Sequence, residues 1–134
     1  MQVVISHIMQ IDAQVEALTI PRTRLQELIK SLFSGPKTVT FTDNAIDVRV
    51  SNDQPIKLAS LSSGEKQLLR ILLETLSAGN STIIIDEPEI SMHVDWQKRL
   101  VSAMRRLNPA CQIIMATHSP EIMADLPDSQ IFQL

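Results

Sequence analysis

Two short apolar runs constrain this chain more than anything else in it. Residues 81–86 carry Ile83, Ile84 and Ile85 and end at Asp86. Residues 112–116 carry Ile113, Ile114, Met115 and Ala116. Neither run alternates apolar with polar, the pattern expected of strands buried on both faces of a parallel sheet. Between them Trp96, Leu100, Ala103, Met104 and Leu107 recur at helical spacing, and Asn108-Pro109 breaks that helix. Ser119 caps a further short helix with Pro120 in its first turn. Residues 129–134 read as a final strand. The order β-α-β-α-β is that of a parallel α/β layer.

Upstream the pattern differs. Val4, Ile8, Ile11, Val15 and Leu18 alternate steps of four and three, a heptad-like helical stripe, with His7 beside it. Pro21 suits the first turn of a second helix, with Leu25, Leu28, Ile29 and Leu32 on one face and Gly35-Pro36 at its end. Val39 and Phe41, then Ile46, Val48 and Val50, alternate around Asp43-Asn44 as a β-hairpin. Residues 51–55 read as a polar turn. A helix then runs from about Glu65 to Ser77, its buried stripe Leu69, Leu72, Leu73 and Leu76, stopped by Ala78-Gly79-Asn80.

Composition excludes several classes. The 134 residues fill at most one ordinary domain, and 44 % hydrophobic residues suffice for a core. A net charge of −3 rules out a generally basic nucleic-acid binder. The single Cys111 forms no internal disulfide, which fits a cytoplasmic location. The longest apolar run, 113–116, is far short of the roughly 20 residues of a membrane-spanning helix, and the N-terminus lacks signal-peptide character.

Three places suit chemistry. Asp86 and Glu87 end an apolar strand, at the sheet edge where α/β proteins bind ligands. Adjacent strand residues point to opposite sides, so one acid suits a hard cation and the other the activation of water. Ser62-Ser63-Gly64 open a helix whose first N–H groups favour an anion, and a plain capping box of Ser62 with Glu65 accounts equally well for the local sequence. Thr117-His118-Ser119 follow the second apolar strand, where His118 would reach a phosphate or an attacking water. His93 sits in a loop.

In this order the three places resemble the C-terminal half of an ABC-type ATPase domain, in the branch of the OLD, RecF and SMC proteins. The resemblance covers about residues 58–134. Leu61-Ser62-Ser63-Gly64-Glu65 is similar to the signature motif, with Glu65 where transporters usually carry Gln. Asp86-Glu87 resemble the Walker B pair, residues 89–96 the D-loop, with Val94 in place of the usual Pro, and His118 the switch histidine. The resemblance implies a partial P-loop NTPase fold, ATP and Mg²⁺ as cofactors, and a head-to-tail dimer. Asp86 would hold magnesium, Glu87 would be the general base and His118 would sense the γ-phosphate. Ser62 and Gly64 would contact the γ-phosphate of a partner's ATP, flanked by Ser63 and Glu65, and Ser91 and His93 would line the dimer seam. Residues 1–57 would be a helical and hairpin lobe of the same domain, and 58–134 its signature, Walker B, D-loop and switch part.

A phosphate-binding loop of the form Gly-x4-Gly-Lys-Ser/Thr does not occur around Gly35, Gly64 or Gly79, the three glycines of the chain. The expectation is that hydrolysis needs such a loop from another segment or chain, that the isolated chain is inactive, and that the edge of residues 112–116 recruits a partner. DNA is a further candidate partner, for which Lys98, Arg99, Arg105 and Arg106 give weak support, a solvated helix face being the commoner reading of such charges. Two alternatives stand beside this reading: a non-catalytic degenerate fragment that binds a partner, and a transporter nucleotide-binding subunit.

Overall fold

The computed structural model describes residues 20–33, 35–42 and 45–133. The heptad-like stripe, His7, the Asp43-Asn44 turn and Leu134 lie outside them. The chain divides into two compact units, residues 1–55 and 56–134.

In the first unit, helix α1 covers residues 20–32, and its apolar side chains Leu25, Leu28, Ile29 and Leu32 are all buried, as the spacing requires. Strands β1 (Lys37–Phe41) and β2 (Ile46–Val50) pair antiparallel, with Val39 opposite Val48 and both buried. Gln26 of α1 completes β1: its Nε2 donates to the Val39 carbonyl at 2.6 Å and its Oε1 accepts the Phe41 N–H at 2.9 Å. An amide side chain thereby stands in for a neighbouring strand at an otherwise open edge. The stretch read as a polar turn is shorter than expected. Asp53 takes a left-handed φ of 58°, the Val50 N–H reaches the Gln54 carbonyl, and Pro55–Ile56 form a two-residue strand, β3, beside β2.

In the second unit, α2 (Ser63–Ser77) is capped by Ser62. Its fully buried stripe is Leu68, Ile71, Leu72 and Thr75, with Leu69 buried and Leu73 and Leu76 half-buried, so the inward face is rotated from the expected one. Thr75 misleads a reading based on apolar spacing, because its hydroxyl is satisfied inside the helix by the Ile71 carbonyl at 2.7 Å. The α2 C-terminus is closed from a distance: Asn108 Nδ2 donates to the carbonyls of Thr75, at 2.9 Å, and Gly79, at 2.8 Å. Asn108 itself caps α3 (Val94–Leu107), whose Leu100, Ala103, Met104 and Leu107 are buried and which packs on α2.

Strands β4 (Thr82–Asp86) and β5 (Gln112–Ala116) run parallel, in register from Thr82 opposite Gln112 to Asp86 opposite Ala116. The expectation of burial on both faces is not met. Ile85 is buried and Ile83, Ile113 and Met115 are half-buried, whereas Ile84 is 76 % exposed and its register partner Ile114 47 % exposed. An unalternating run permits two covered faces but does not supply the second layer. The final strand is also absent: Asp128–Gln130 form a single 3-10 turn and residues 131–133 pair with no strand, because among the described residues β5 has only β4 beside it. The short helix α4 (Pro120–Met123) forms as expected, Ser119 Oγ accepting the Ile122 N–H.

Candidate functional site

Parallel register brings the ends of β4 and β5 out side by side. Asp86 is the last residue of β4, exposed, and its side chain makes no hydrogen bond among the described residues. The Glu87 N–H then donates to the Ala116 carbonyl at 2.8 Å, extending the ladder by one bond. Glu87 does so with φ +47°, a left-handed conformation that costs a side-chain-bearing residue about 1–3 kcal/mol. The turn aims its carboxylate across to β5, where Glu87 Oε1 lies 3.4 Å from His118 Nε2. His118 remains 93 % exposed at its side chain and Glu87 31 %. Pro88, fully buried, pins the chain behind them.

Glu89, passed over in the sequence, organises this edge. Its Oε1 accepts from the Thr117 hydroxyl at 2.6 Å, the His118 N–H at 2.8 Å and the Ser119 N–H at 3.0 Å. Its Oε2 is buried and accepts no N–H or O–H from the described residues. The neighbouring carboxyl is that of Glu87, a hydrogen-bond partner when one of the two carries a proton. Burial first, and then Glu89, push the Glu87 carboxyl above its ordinary value, against the opposing pull of His118. Burial also acts to raise Glu89, but hydrogen bonds from Thr117, its own backbone and His118 outweigh it and hold that group below the ordinary value. The network continues through Ser119 Oγ to Gln97 Oε1, at 2.7 Å, and from Gln97 Nε2 to the Met92 carbonyl, at 2.9 Å. No local pattern announces Glu89, since its donors lie 28 to 30 residues away.

The α2 N-terminus is arranged differently. The Ser62 N–H donates to Glu65 Oε2 at 2.6 Å, and Ser62 Oγ accepts the Glu65 N–H at 3.2 Å, a complete capping box. Ser62 and Ser63 are exposed. Gly64 has a packing reason of its own: a Cβ at this position would collide with the Ser91 carbonyl oxygen. Ser91, at φ +64°, therefore lies against the start of α2. His93 caps α3, accepting the Asp95 N–H at its Nδ1, and its imidazole meets Trp96 edge-on.

The structure thus gathers Asp86, Glu87 and His118 with Glu89 at the strand ends, and Gly64 with Ser91 beside α2. Among the described residues no three His, Cys, Asp or Glu side chains converge on a metal position. A lone exposed Asp86 fits magnesium, which takes one or two carboxylates and completes its shell with water and phosphate. Of the four basic residues of α3, Lys98 lies 3.6 Å from Glu121 and Arg105 donates to Gln130. Among the described residues no helix is long and apolar enough to cross a membrane.

Comparison with known proteins agrees with this architecture. Residues 7–124 match the family described as "AAA domain, putative AbiEii toxin, Type IV TA system". A probable ATPase of retron Vc95 from Vibrio cholerae serotype O1 biovar El Tor is 29 % identical over 122 residues, covering 80 % of this chain and 24 % of that protein. A probable metal transport system ATP-binding protein of Chlamydia pneumoniae is 37 % identical over 78 residues, covering 57 % of this chain and 31 % of the other. A structure from work on ATP-driven dimerization and DNA-stimulated activation of SMC ATPases superimposes with a TM-score of 0.57 at 14 % identity, covering 84 % of this chain and 76 % of that one. The chain spans about a quarter of the length of the retron ATPase and about a third of the transport protein. With a parallel β-α-β layer whose strand ends carry Asp86, Glu87 and His118, the chain belongs to this AAA-domain family, with the ABC-like fold of the SMC ATPases.

Proposed function

We propose that the chain supplies the signature and Walker B half of an ATP-hydrolysing site, completed by a phosphate-binding loop from another segment or chain. The observation that carries this reading is the placement of Glu87 and His118 3.4 Å apart at the ends of adjacent parallel strands, with Asp86 beside them. Glu87, the base, takes a proton from the attacking water, and its raised proton affinity suits that task. The exposed His118 imidazole orients that water and donates to the terminal phosphate. Asp86 holds Mg²⁺ through its free carboxylate, and the ion, when bound with ATP, neutralises charge developing on the phosphates. Ser62, Ser63, Gly64 and Glu65 face the ATP of a second protomer, and Ser91 and His93 lie along the seam. Residues 1–57 form the helical and hairpin lobe. The ATP-driven dimerization and DNA-stimulated activation named for the SMC neighbour support a dimer that works on DNA, and on this reading the chain acts in a DNA-linked or phage-defence process in the cytoplasm.

The test mixes the chain with a polypeptide carrying Gly-x4-Gly-Lys-Ser/Thr and follows phosphate release with Mg²⁺. The chain alone should be silent and the mixture active, and Glu87→Gln should slow turnover by about 10²–10⁴-fold while retaining ATP. Turnover by the chain alone, or an unaffected Glu87→Gln mixture, overturns the proposal.

One observation favours a second, non-catalytic reading. Ser62 and Glu65 already satisfy each other in the capping box, so the signature loop is complete as structure without nucleotide. On that reading the chain docks with its partner, and Glu87→Gln changes nothing in the mixture. The likeness to the Chlamydia protein keeps a transporter subunit as the third, and membrane-protein co-purification tests it.

A further inference from the structure

We propose that Glu89 is a positioning residue that locks the D-loop to the switch strand, so that Glu87 and His118 are held as one unit. The inference rests on the roles proposed above for those two residues. Its basis is geometric. Glu89 stands two residues after Glu87, behind the buried Pro88, at the start of the turn that leads to Ser91. From there its Oε1 gathers three donors belonging to three consecutive residues after β5: the Thr117 hydroxyl and the His118 and Ser119 amides. No side chain of β4 or β5 ties the two strand ends together in this way.

Each backbone amide after a strand end needs an acceptor, and here both point to one oxygen of one carboxylate, the Ser119 N–H sharing itself with Thr117 Oγ1 at 3.0 Å. The main chain of His118 is therefore fixed while its imidazole stays exposed and directed at Glu87. The second oxygen, Oε2, is buried without an N–H or O–H donor from the described residues, and the Glu87 carboxyl is a neighbour of the Glu89 carboxylate. A buried polar atom left open is costly unless something requires it. Glu89 thus holds the His118 main chain through Oε1 while its carboxylate neighbours that of Glu87. Gln97 extends the lock, joining Ser119 to the Met92 carbonyl and so the segment after β5 to the middle of the D-loop. Displacement of the loop at Ser91, which lies against Gly64, would be transmitted to His118 through these bonds.

The test uses the full chain without nucleotide, so it reads Glu89 independently of turnover. Amide hydrogen exchange at His118 and Ser119 and the carboxyl ¹³C resonance of Glu87 are compared in the unaltered protein, Glu89→Gln and Glu89→Ala. Glu89→Gln keeps an acceptor oxygen for the three donors while removing the charge beside Glu87. It should hold both amides within about threefold of their original exchange rates and still displace the Glu87 resonance. Glu89→Ala should speed both amides by about tenfold or more, the loss expected for a charge-assisted bond. Unchanged amides in Glu89→Ala, or an unmoved Glu87 resonance in both variants, overturn the proposal. Should Glu89→Ala fail to fold, Glu89→Gln decides alone, by its Glu87 resonance. The ATPase reading stands or falls separately, on the mixing assay.

Discussion

The two ends of the candidate site are built on opposite principles. At the α2 N-terminus every conspicuous residue is satisfied locally: Ser62 and Glu65 bond to each other, and Gly64 is small because the Ser91 carbonyl leaves no room. At the ends of β4 and β5 the backbone is strained at Glu87, an oxygen of Glu89 is left open, and Asp86 and His118 project into solvent. A left-handed backbone occurs on both sides, at Glu87 and at Ser91 against α2, so it is the open buried oxygen that distinguishes the strand ends, and such an atom persists only where the surroundings enforce it. The strand ends are therefore where the chain departs from what folding alone would select.

The contrast can be broken by substitution. The largest effect on stability is expected at Gly64, where Ala places a methyl against backbone that cannot swing aside. A loss of about 1–3 kcal/mol is expected, read as a lower midpoint in thermal unfolding. If Gly64→Ala is neutral, the close packing of Ser91 on α2 is wrong. Ser62→Ala should cost about 1 kcal/mol, the loss of one cap. The opposite sign is expected across the site. Glu87→Gly removes a side chain from a left-handed position and should stabilise the chain by about 1 kcal/mol while abolishing any turnover in the mixture. A destabilised Glu87→Gly would make Glu87 a structural residue like Ser62.

The smallest effect concerns acid. The Glu89 carboxyl is depressed in the folded chain, so its contribution is complete above the unfolded value, about 4.3, and fades as pH falls through the lower folded value. Glu87, raised in the folded chain, has the opposite sign: its contribution is complete at low pH and fades as pH rises through its folded value. Glu89→Gln should flatten the acid limb of a plot of unfolding midpoint against pH. An unchanged limb would mean that Glu89 is not the group that acid attacks.

What the sequence made legible was whatever has a local cause. Asp86-Glu87 at a strand end, the cap at Ser119, the capping box at Ser62 and the hairpin around Val39 and Val48 each follow from residues within a few positions of one another. Most of the misses have a non-local cause. Glu89 finds its donors across the sheet. Thr75 differs: its hydroxyl is satisfied by a carbonyl one turn away in its own helix, which an apolar-spacing count overlooks. The packing reason for Gly64, the Ser91 carbonyl against it, lies far along the chain and no local spacing shows it. Ile84 and Ile114 looked buried because an apolar run does not say how many layers cover it. Residues 129–134 looked like a strand because propensity is blind to whether a neighbour exists.

One residue described with the fold has a reach beyond its size. The backbone N–H of Asn108 ends α3 on the Met104 carbonyl, while its side-chain Nδ2 closes the carbonyls of Thr75 and Gly79 at the end of α2. Two helix termini that would ordinarily fray independently are latched by the same residue. The last turns of both helices should open together, as a single cooperative segment, and a substitution at position 108 should loosen residues some thirty positions earlier in the chain as much as its own neighbours.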